Sequence, residues 1–280
     1  MAVSRFEYNI ARLYYKFNRI TGQLKTPKSG FKSSNLDGFQ PVDLLRDDQI
    51  DLVNEELDWH AFTTDQTGRR IGDVHSTTKR RDPQNLLDSR IENLDQLHSL
   101  RGKNVLEFGC FEGIHSVALA SLGANVVGVD ARPNNLAKTC VRAGLYGLGV
   151  RPLLLDLDDS SQLEMAGQQG LLDADVLVHI GVLYHLKNPM KHLRLVLPHI
   201  REAILLDTHV SKSNTEVRRE FGLKDPFSGV NEESTWVSEK MLNEVLLEFG
   251  FSTTLDEEFR DERNGLRWRT VRARKLSQDA

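Results

Sequence analysis

The 280-residue chain holds only two cysteines, Cys110 and Cys140. They lie far apart, so neither a disulfide framework nor a cysteine-based metal site is expected, and a reduced, cytoplasmic setting is. No apolar run approaches the roughly 18–20 residues of a membrane helix, which excludes a membrane span. The opening stretch MAVSRFEYNIARLYY has no apolar secretory core. Positive charge is not in excess either. Lys and Arg number 36 against 40 Asp and Glu, a formal net charge of -4. No global pull toward nucleic acid follows from that balance. There is no internal repeat and no low-complexity tract. His179, His192 and His199 lack metal-ligand spacing. A dinucleotide fingerprint is also missing: two residues after Gly109 stands Phe111, where G-x-G-x-x-G needs glycine.

What is present is a globular composition, 39% hydrophobic and 27% charged. The most informative stretch is VLEFGCFEGIHSVALASLGANVVGVD, from Val105 to Asp130. It reads as an apolar strand, a tight turn, a helix and a second apolar strand ending in an acid. Glu107 ends the first strand, Gly109 and Gly113 frame the turn, and Asp130 lies where a ribose diol would arrive. This layout cradles a nucleoside-bearing cofactor at the carboxyl end of a parallel sheet. An acid at Glu107 would repel a pyrophosphate and welcome an ammonium or a sulfonium. A cationic cofactor without a polyphosphate fits S-adenosylmethionine.

From Gly102 onward β and α patterns alternate. Strands are predicted at Asn104–Phe108, Asn125–Asp130, Arg151–Leu155, Ala174–Ile180 and Ala203–Asp207. Helices are predicted near Gly113–Leu122, Asn134–Leu145, Ser160–Gln168, Met190–Leu197 and Ser238–Glu248. Phe251–Glu257 and Leu266–Arg274 close the chain as a hairpin with Asn264-Gly265 as its turn. Alternation of this kind makes a parallel α/β sheet. Upstream, Phe6, Ile10, Leu13, Phe17 and Ile20 predict an amphipathic helix. Thr26–Gln40 reads as a linker and Asp43–Leu57 as weakly helical. Trp59–Pro83 reads as a loop or cap and Leu86–Leu100 as helical. Residues 1–100 are expected to form a helical N-terminal extension or lid, and residues 101–280 the α/β domain.

These features together resemble the class I S-adenosylmethionine-dependent methyltransferases, over about Leu100 to Lys275. The resemblance rests on VLEFGCFEG, on Asp130 in VVGVDAR, on Asp156 in LLLDLDD, on ADVLVHIGVLYHLKNP, and on the final hairpin entered through Gly250 and Phe251. It implies a Rossmann-like, seven-stranded, mostly parallel sheet with a terminal antiparallel hairpin. It implies that Asp130 holds the ribose hydroxyls and that Asp156 lies near the adenine amino group. Glu107, Gly109, Cys110, Gly113, Ala131, Leu157 and Gly181 join them as cofactor-binding positions. Many members carry glycine where this chain has Phe111, so the ring there must point away from the methionine moiety or shape the pocket. The DLDD cluster has a second reading as the cap of the next helix.

Tyr184 and His185 follow the fourth strand, close to where the methyl group would sit. His209 follows Asp207 at the end of the fifth. Methyl transfer chiefly needs alignment, and a base only where the acceptor must lose a proton. His185 or His209 could supply that base near neutral pH. A structural role for His185, bonding backbone, stands beside it. The expected reaction is methylation of an oxygen or nitrogen of a small-molecule acceptor. GVLYHLKNP is also similar to a segment of the bacterial tRNA wobble-uridine carboxymethyltransferases, which implies that Tyr184 contacts an extra carboxylate and that tRNA is the substrate. A non-catalytic binding subunit with this fold is the third reading, and the intact Glu107 and Asp130 argue against it. The basic, aromatic first thirty-two residues favour packing on the core or on a second subunit, as in a homodimer, over contact with RNA. The charged cap, with Arg69, Arg70, Lys79, Arg80 and Arg81, favours a solvated face over an anionic or aromatic substrate site.

Overall fold

A computed structural model describes residues 46–57, 59–60, 62–64, 70–72, 87–211, 215–220, 229–261 and 266–276. The chain divides into two compact units, Met1–Leu86 with Gly144–Gly147, and Leu87–Ala143 with Leu148–Ala280. In the first unit, helix α1 (Asp47–Glu56) is followed by a short antiparallel pair, β1 (Phe62–Thr64) and β2 (Arg70–Gly72). That pair corrects the loop expected over Trp59–Pro83. The amphipathic helix at Phe6–Ile20, the linker at Thr26–Gln40 and the Asn264-Gly265 turn lie outside the described residues.

The second unit carries the site. Helix α2 (Ser89–Leu97) leads into β3 (Asn104–Phe108), α3 (Ile114–Ser121), β4 (Asn125–Asp130), α4 (Pro133–Leu145), β5 (Val150–Leu154) and α5 (Ser160–Gln168). Then follow β6 (Ala174–Ile180), a 3-10 turn at Leu183–His185, α6 (Pro189–Val196), β7 (Ile200–Ser211), β8 (Val217–Glu220), β9 (Glu233–Trp236), α7 (Glu239–Glu248), β10 (Phe251–Asp261) and β11 (Leu266–Lys275). The main sheet has seven strands in the order β10-β11-β7-β6-β3-β4-β5. The pairs from β7 through β5 are parallel, and β11 and β10 run antiparallel at the edge.

The period-two alternation of the strands sorts side chains to the two faces. Leu106, Phe108, Val129, Leu177 and Leu206 pack with Leu163, Leu193 and Leu242 of α5, α6 and α7. Val105, Val126, Val176, Val178 and Leu205 pack with Ile91, Leu94, Ala118 and Leu119 of α2 and α3. Both faces of the central strands are thereby buried, which is why β6 reads as an almost unbroken apolar run. Helix starts are set by side chains. Asp88 accepts from Arg90 N, Asp159 from Ser161 N and Gln162 N, and Ser238 from Met241 N.

Three predicted strands match residue for residue, whereas β7 and β10 run longer than expected. Strand β7 extends to Ser211 because its far end pairs with β11, His209 opposite Trp268 and Ser211 opposite Leu266. Between β7 and α7, β8 and β9 form an antiparallel pair. Among the described residues, no helix is long and apolar enough to cross a membrane.

Candidate functional site

Sheet order places the carboxyl ends of β3, β4 and β6 side by side. Leaving β3, the chain makes a tight turn in which Gly109, Phe111 and Gly113 all take positive φ, 67°, 51° and 78°. Gly113 N donates to Cys110 O at 2.7 Å to close it. Glycine is required at both frames. A Cβ on Gly109 would stand 2.2 Å from Val182 Cγ2, and one on Gly113 2.8 Å from Thr139 Cα. Phe111 is the one non-glycine with positive φ among the described residues. A glycine at this position would relieve a backbone cost of about 1–2 kcal/mol. The left-handed turn aims Phe111 N at Asp130 Oδ2, 3.1 Å away.

Asp130 is nearly closed off, 7% exposed. Its Oδ1 accepts from Arg132 N at 2.9 Å and Asn135 Nδ2 at 3.1 Å. Burial pushes this carboxyl up, while these N–H donors hold it down. Ala131 follows it, partly exposed. Cys110 lies behind the turn, buried against Gly128, where a Cβ would come within 3.3 Å of its Sγ. Burial pushes the thiol up, so it is no nucleophile.

Glu107 is 1% exposed. Ser116 Oγ donates to its Oε2, but its Oε1 is a buried oxygen that accepts no hydrogen bond. Its Oε1 lies 3.8 Å from His115 Nδ1. Burial pushes the Glu107 carboxyl up, opposed by His115 and Ser116 and reinforced by Asp130. Beyond His115 a chain of charges continues. His115 Nε2 is 3.5 Å from Asp88 Oδ2, Arg90 NH2 is 2.7 Å from the same oxygen, and Arg90 NH1 is 3.1 Å from Asp207 Oδ1. The Arg90 and His115 contacts hold the Asp88 carboxyl well below its ordinary range. Sequence reasoning missed Asp88, Arg90 and His115. Asp88-Ser89-Arg90 was legible as a helix cap, and placing the helix start at Leu86 hid it.

The DLDD cluster divides its labour. Asp156 Oδ1 accepts from Asp158 N at 3.0 Å in a turn after β5. Asp159 caps α5. Asp158 reaches across to Lys187 N and Asn231 Nδ2, both at 2.8 Å. Leu157 is buried, and its carbonyl accepts from His192 Nδ1 at 3.1 Å. Since His192 Nδ1 carries the proton, its Nε2 accepts from His179 Nε2 at 3.2 Å. Burial holds both rings neutral, His192 pushed down to about 4 and His179 well below its ordinary value. This pair fixes the loop after β5 to strand β6.

Gly181 leaves β6 at φ 72°, and its N–H donates to Asp207 O at 2.9 Å. A Cβ there would lie 4.0 Å from the Tyr184 hydroxyl. Tyr184, His185 and His209 come together here. The Tyr184 ring stacks on His209 at 4.5 Å and 23°, and lies 4.2 Å from the His185 ring. Two tryptophans that sequence reasoning did not connect to them complete the cluster. Trp268 meets His209 edge-on at 4.2 Å, and Trp236 does so at 5.3 Å. The segment carrying Trp236 reaches both sides of β3. Gly229 O accepts from Arg132 NH2 at 3.1 Å, and a Cβ on Gly229 would stand 2.8 Å from the His185 carbonyl oxygen. Arg132 follows β4 and His185 follows β6, the two strands that flank β3.

A family model described as a methyltransferase domain matches residues 79–255. The chain belongs to this methyltransferase family. The ubiquinone biosynthesis O-methyltransferase of Pseudomonas aeruginosa (strain UCBPP-PA14) is 32% identical over 105 residues, 38% of this chain and 43% of that protein. Its namesake from Cereibacter sphaeroides (strain ATCC 17025 / ATH 2.4.3) is 32% identical over 93 residues, 33% of this chain and 35% of that protein. The chain thus matches less than half the length of these curated relatives. The N-terminal domain of EvdMO1, solved with SAH bound, superposes with a TM-score of 0.63 at 21% identity, over 85% of this chain and all of that domain. The methyltransferase fold is common to both. Among the described residues of this methyltransferase, no cluster of His, Cys, Asp and Glu could hold a metal ion.

Proposed function

We propose that the chain transfers a methyl group from S-adenosylmethionine to an oxygen or nitrogen of a small-molecule acceptor. The observation that carries this reading is the buried Glu107 Oε1, an acceptor without a hydrogen-bond donor, one strand away from the buried Asp130. A buried acceptor left unsatisfied is costly. A ligand that brings N–H and O–H donors together with positive charge removes that cost at Glu107. When bound, S-adenosylmethionine supplies an electrophilic methyl group on a sulfonium.

The chain's residues divide the remaining work. Asp130 takes the ribose hydroxyls, the Asp156–Leu157 loop flanks the adenine, and Gly181 gives backbone room at the methionine end. Glu107 faces the ammonium. Arg90, linked to Glu107 through Asp88 and His115, faces the carboxylate. His209 and His185 are the candidates to receive the acceptor's proton, and the Tyr184 ring positions His209 by stacking. Two features of known proteins support the reading: the relatives' names as O-methyltransferases and the SAH bound to the EvdMO1 domain.

The test is calorimetric titration with SAH. Binding is expected in the native protein, and Asp130→Ala is expected to weaken it by about 1.5–3 kcal/mol, the loss of a charged hydrogen-bond acceptor. Equal affinity in the two proteins overturns the assignment.

A further inference from the structure

The amino ends of the parallel strands, at the other end of the sheet from the cofactor crevice, hold a cavity of about 510 Å³. That volume lies in the range of small-molecule sites. We propose that it binds a small, mostly apolar monocarboxylate whose carboxylate pairs with Arg151. Strand register builds the cavity. Asn104 of β3 stands opposite Asn125 of β4. Two residues further along, Leu106 stands opposite Val127, and Val127 opposite Arg151 of β5. Residues two apart on a strand share a face. This face therefore carries a polar row at the rim and an apolar row behind it. Arg151 ends the apolar row on β5, the edge strand of the sheet. Leu171, in the loop before β6, adds to the apolar lining.

The other charges nearby are already matched. Asp173 Oδ1 meets His199 Nδ1 at 2.8 Å, Asp175 takes Arg201 and Asn104 N, and Glu202 takes His98 and Lys103. Among the described residues, the Arg151 guanidinium makes no ion pair and no hydrogen bond. Asn125 Nδ2 has two long contacts, each 3.4 Å, to Gly102 O and Asn104 Oδ1. Much of the bonding capacity of both amides is left for a ligand. An arginine on an edge strand also discourages pairing with another chain, but Pro152 beside it already does so. That role needs neither the cavity nor the amides. A guanidinium fork with planar amide donors matches a carboxylate. The row of Leu106, Val127 and Leu171 matches an aryl or alkyl body. Asp173 also lines the cavity, so a second negative charge on the ligand is repelled. An occupant here leaves the carboxyl ends of the strands, and the cofactor crevice with them, open.

The test is titration of the full chain with benzoate, with and without SAH, followed by the side-chain amide NMR signals of Asn104 and Asn125. The controls are benzamide, acetate and phenyl phosphate, which remove the charge, remove the apolar body and add a second charge. Benzoate is expected to shift both amides and to bind at least about tenfold more tightly than each control. SAH is expected to leave benzoate affinity unchanged. Arg151→Gln is expected to weaken benzoate by about tenfold with thermal unfolding unchanged, since the side chain is exposed. Asn125→Asp, also exposed, is the second variant if Arg151→Gln fails to fold. Its carboxylate is expected to expel benzoate. Absence of benzoate binding, competition with SAH, tighter phenyl phosphate, or unaltered affinity in the variant overturns the inference. A dimer that pairs through β5 and excludes benzoate overturns it as well. The methyl-transfer reading is separate: failure to bind SAH strikes that reading, while the amide shifts and Arg151→Gln still decide this one.

Discussion

Acid should unfold this protein through the His179–His192 pair before its carboxylates are titrated. Both rings are buried and neutral, and the tautomers are fixed by His192 Nδ1 donating to Leu157 O. A base whose folded pKa lies below its unfolded value binds fewer protons when folded. Its contribution is therefore complete above the ordinary value of 6.5 and is lost as pH falls toward the folded value. For His192, pushed down to about 4, this linkage amounts to about 2 kcal/mol at pH 5 and about 3 kcal/mol at pH 4. His179 is pushed down in the same direction and adds to the loss. The assay is urea unfolding of the native protein and of His192→Asn at pH 7.5 and pH 5. Asparagine keeps an N–H for Leu157 O and cannot titrate in this range. The variant should be less stable at pH 7.5 by about 1–3 kcal/mol, from the lost ring volume. Its further loss on going to pH 5 should be smaller than the native protein's by about 2 kcal/mol. The same pH-dependent loss in both proteins would show that the pair is not buried neutral and would refute the reasoning.

The Glu107 pKa is shifted in the opposite direction. Its carboxyl is pushed up by burial, so affinity for S-adenosylmethionine should rise with pH until Glu107 ionises and then level off; Glu107→Gln should be weaker and pH-independent, and calorimetry in two buffers of different ionisation heat should show proton release on binding to the native protein alone. Phe111→Gly should leave thermal stability within about 1 kcal/mol, because relief of the left-handed backbone offsets the flexibility of glycine; a loss above about 2 kcal/mol would show that the ring itself anchors the turn. Gly109→Ala should cost more than about 2 kcal/mol, since its Cβ would meet Val182 Cγ2. Val182→Ala should restore part of that loss, and a double-mutant cycle with no coupling would refute the clash.

The sheet was largely legible in the sequence because its strands are buried on both faces and its turns need glycine. Asn104–Phe108 and Asn125–Asp130 end where Gly109 and Ala131 begin the site, and local pattern suffices to see this. The ring cluster was not legible. Tyr184 and Trp268 are brought together through β7, and no local spacing encodes that register. Trp268 sits among alternating arginines in a strand whose two faces look alike from sequence. The strand pairs β1–β2 and β8–β9 are three and four residues long, too short for a period to emerge. Phe111 was visible as a departure from glycine. That its φ is positive followed only from the hydrogen bond it makes to Asp130.

The charge chain through the site ties the pKa of Glu107 to its role. Glu107, Asp88 and Asp207 face one guanidinium, Arg90, and the His115 ring. Asp88 has Arg90 at 2.7 Å and is held ionised, whereas among the described residues the buried Glu107 has no Lys or Arg within ion-pair distance and has the His115 ring at 3.8 Å. Burial pushes the Glu107 carboxyl up, and Asp130 adds to that shift. On the proposed function, a ligand carrying an ammonium beside a sulfonium satisfies the open Oε1, while its carboxylate draws on the Arg90 end of the same chain. On that reading the network favours a ligand with separated charges of both signs, which a neutral nucleoside would leave unsatisfied.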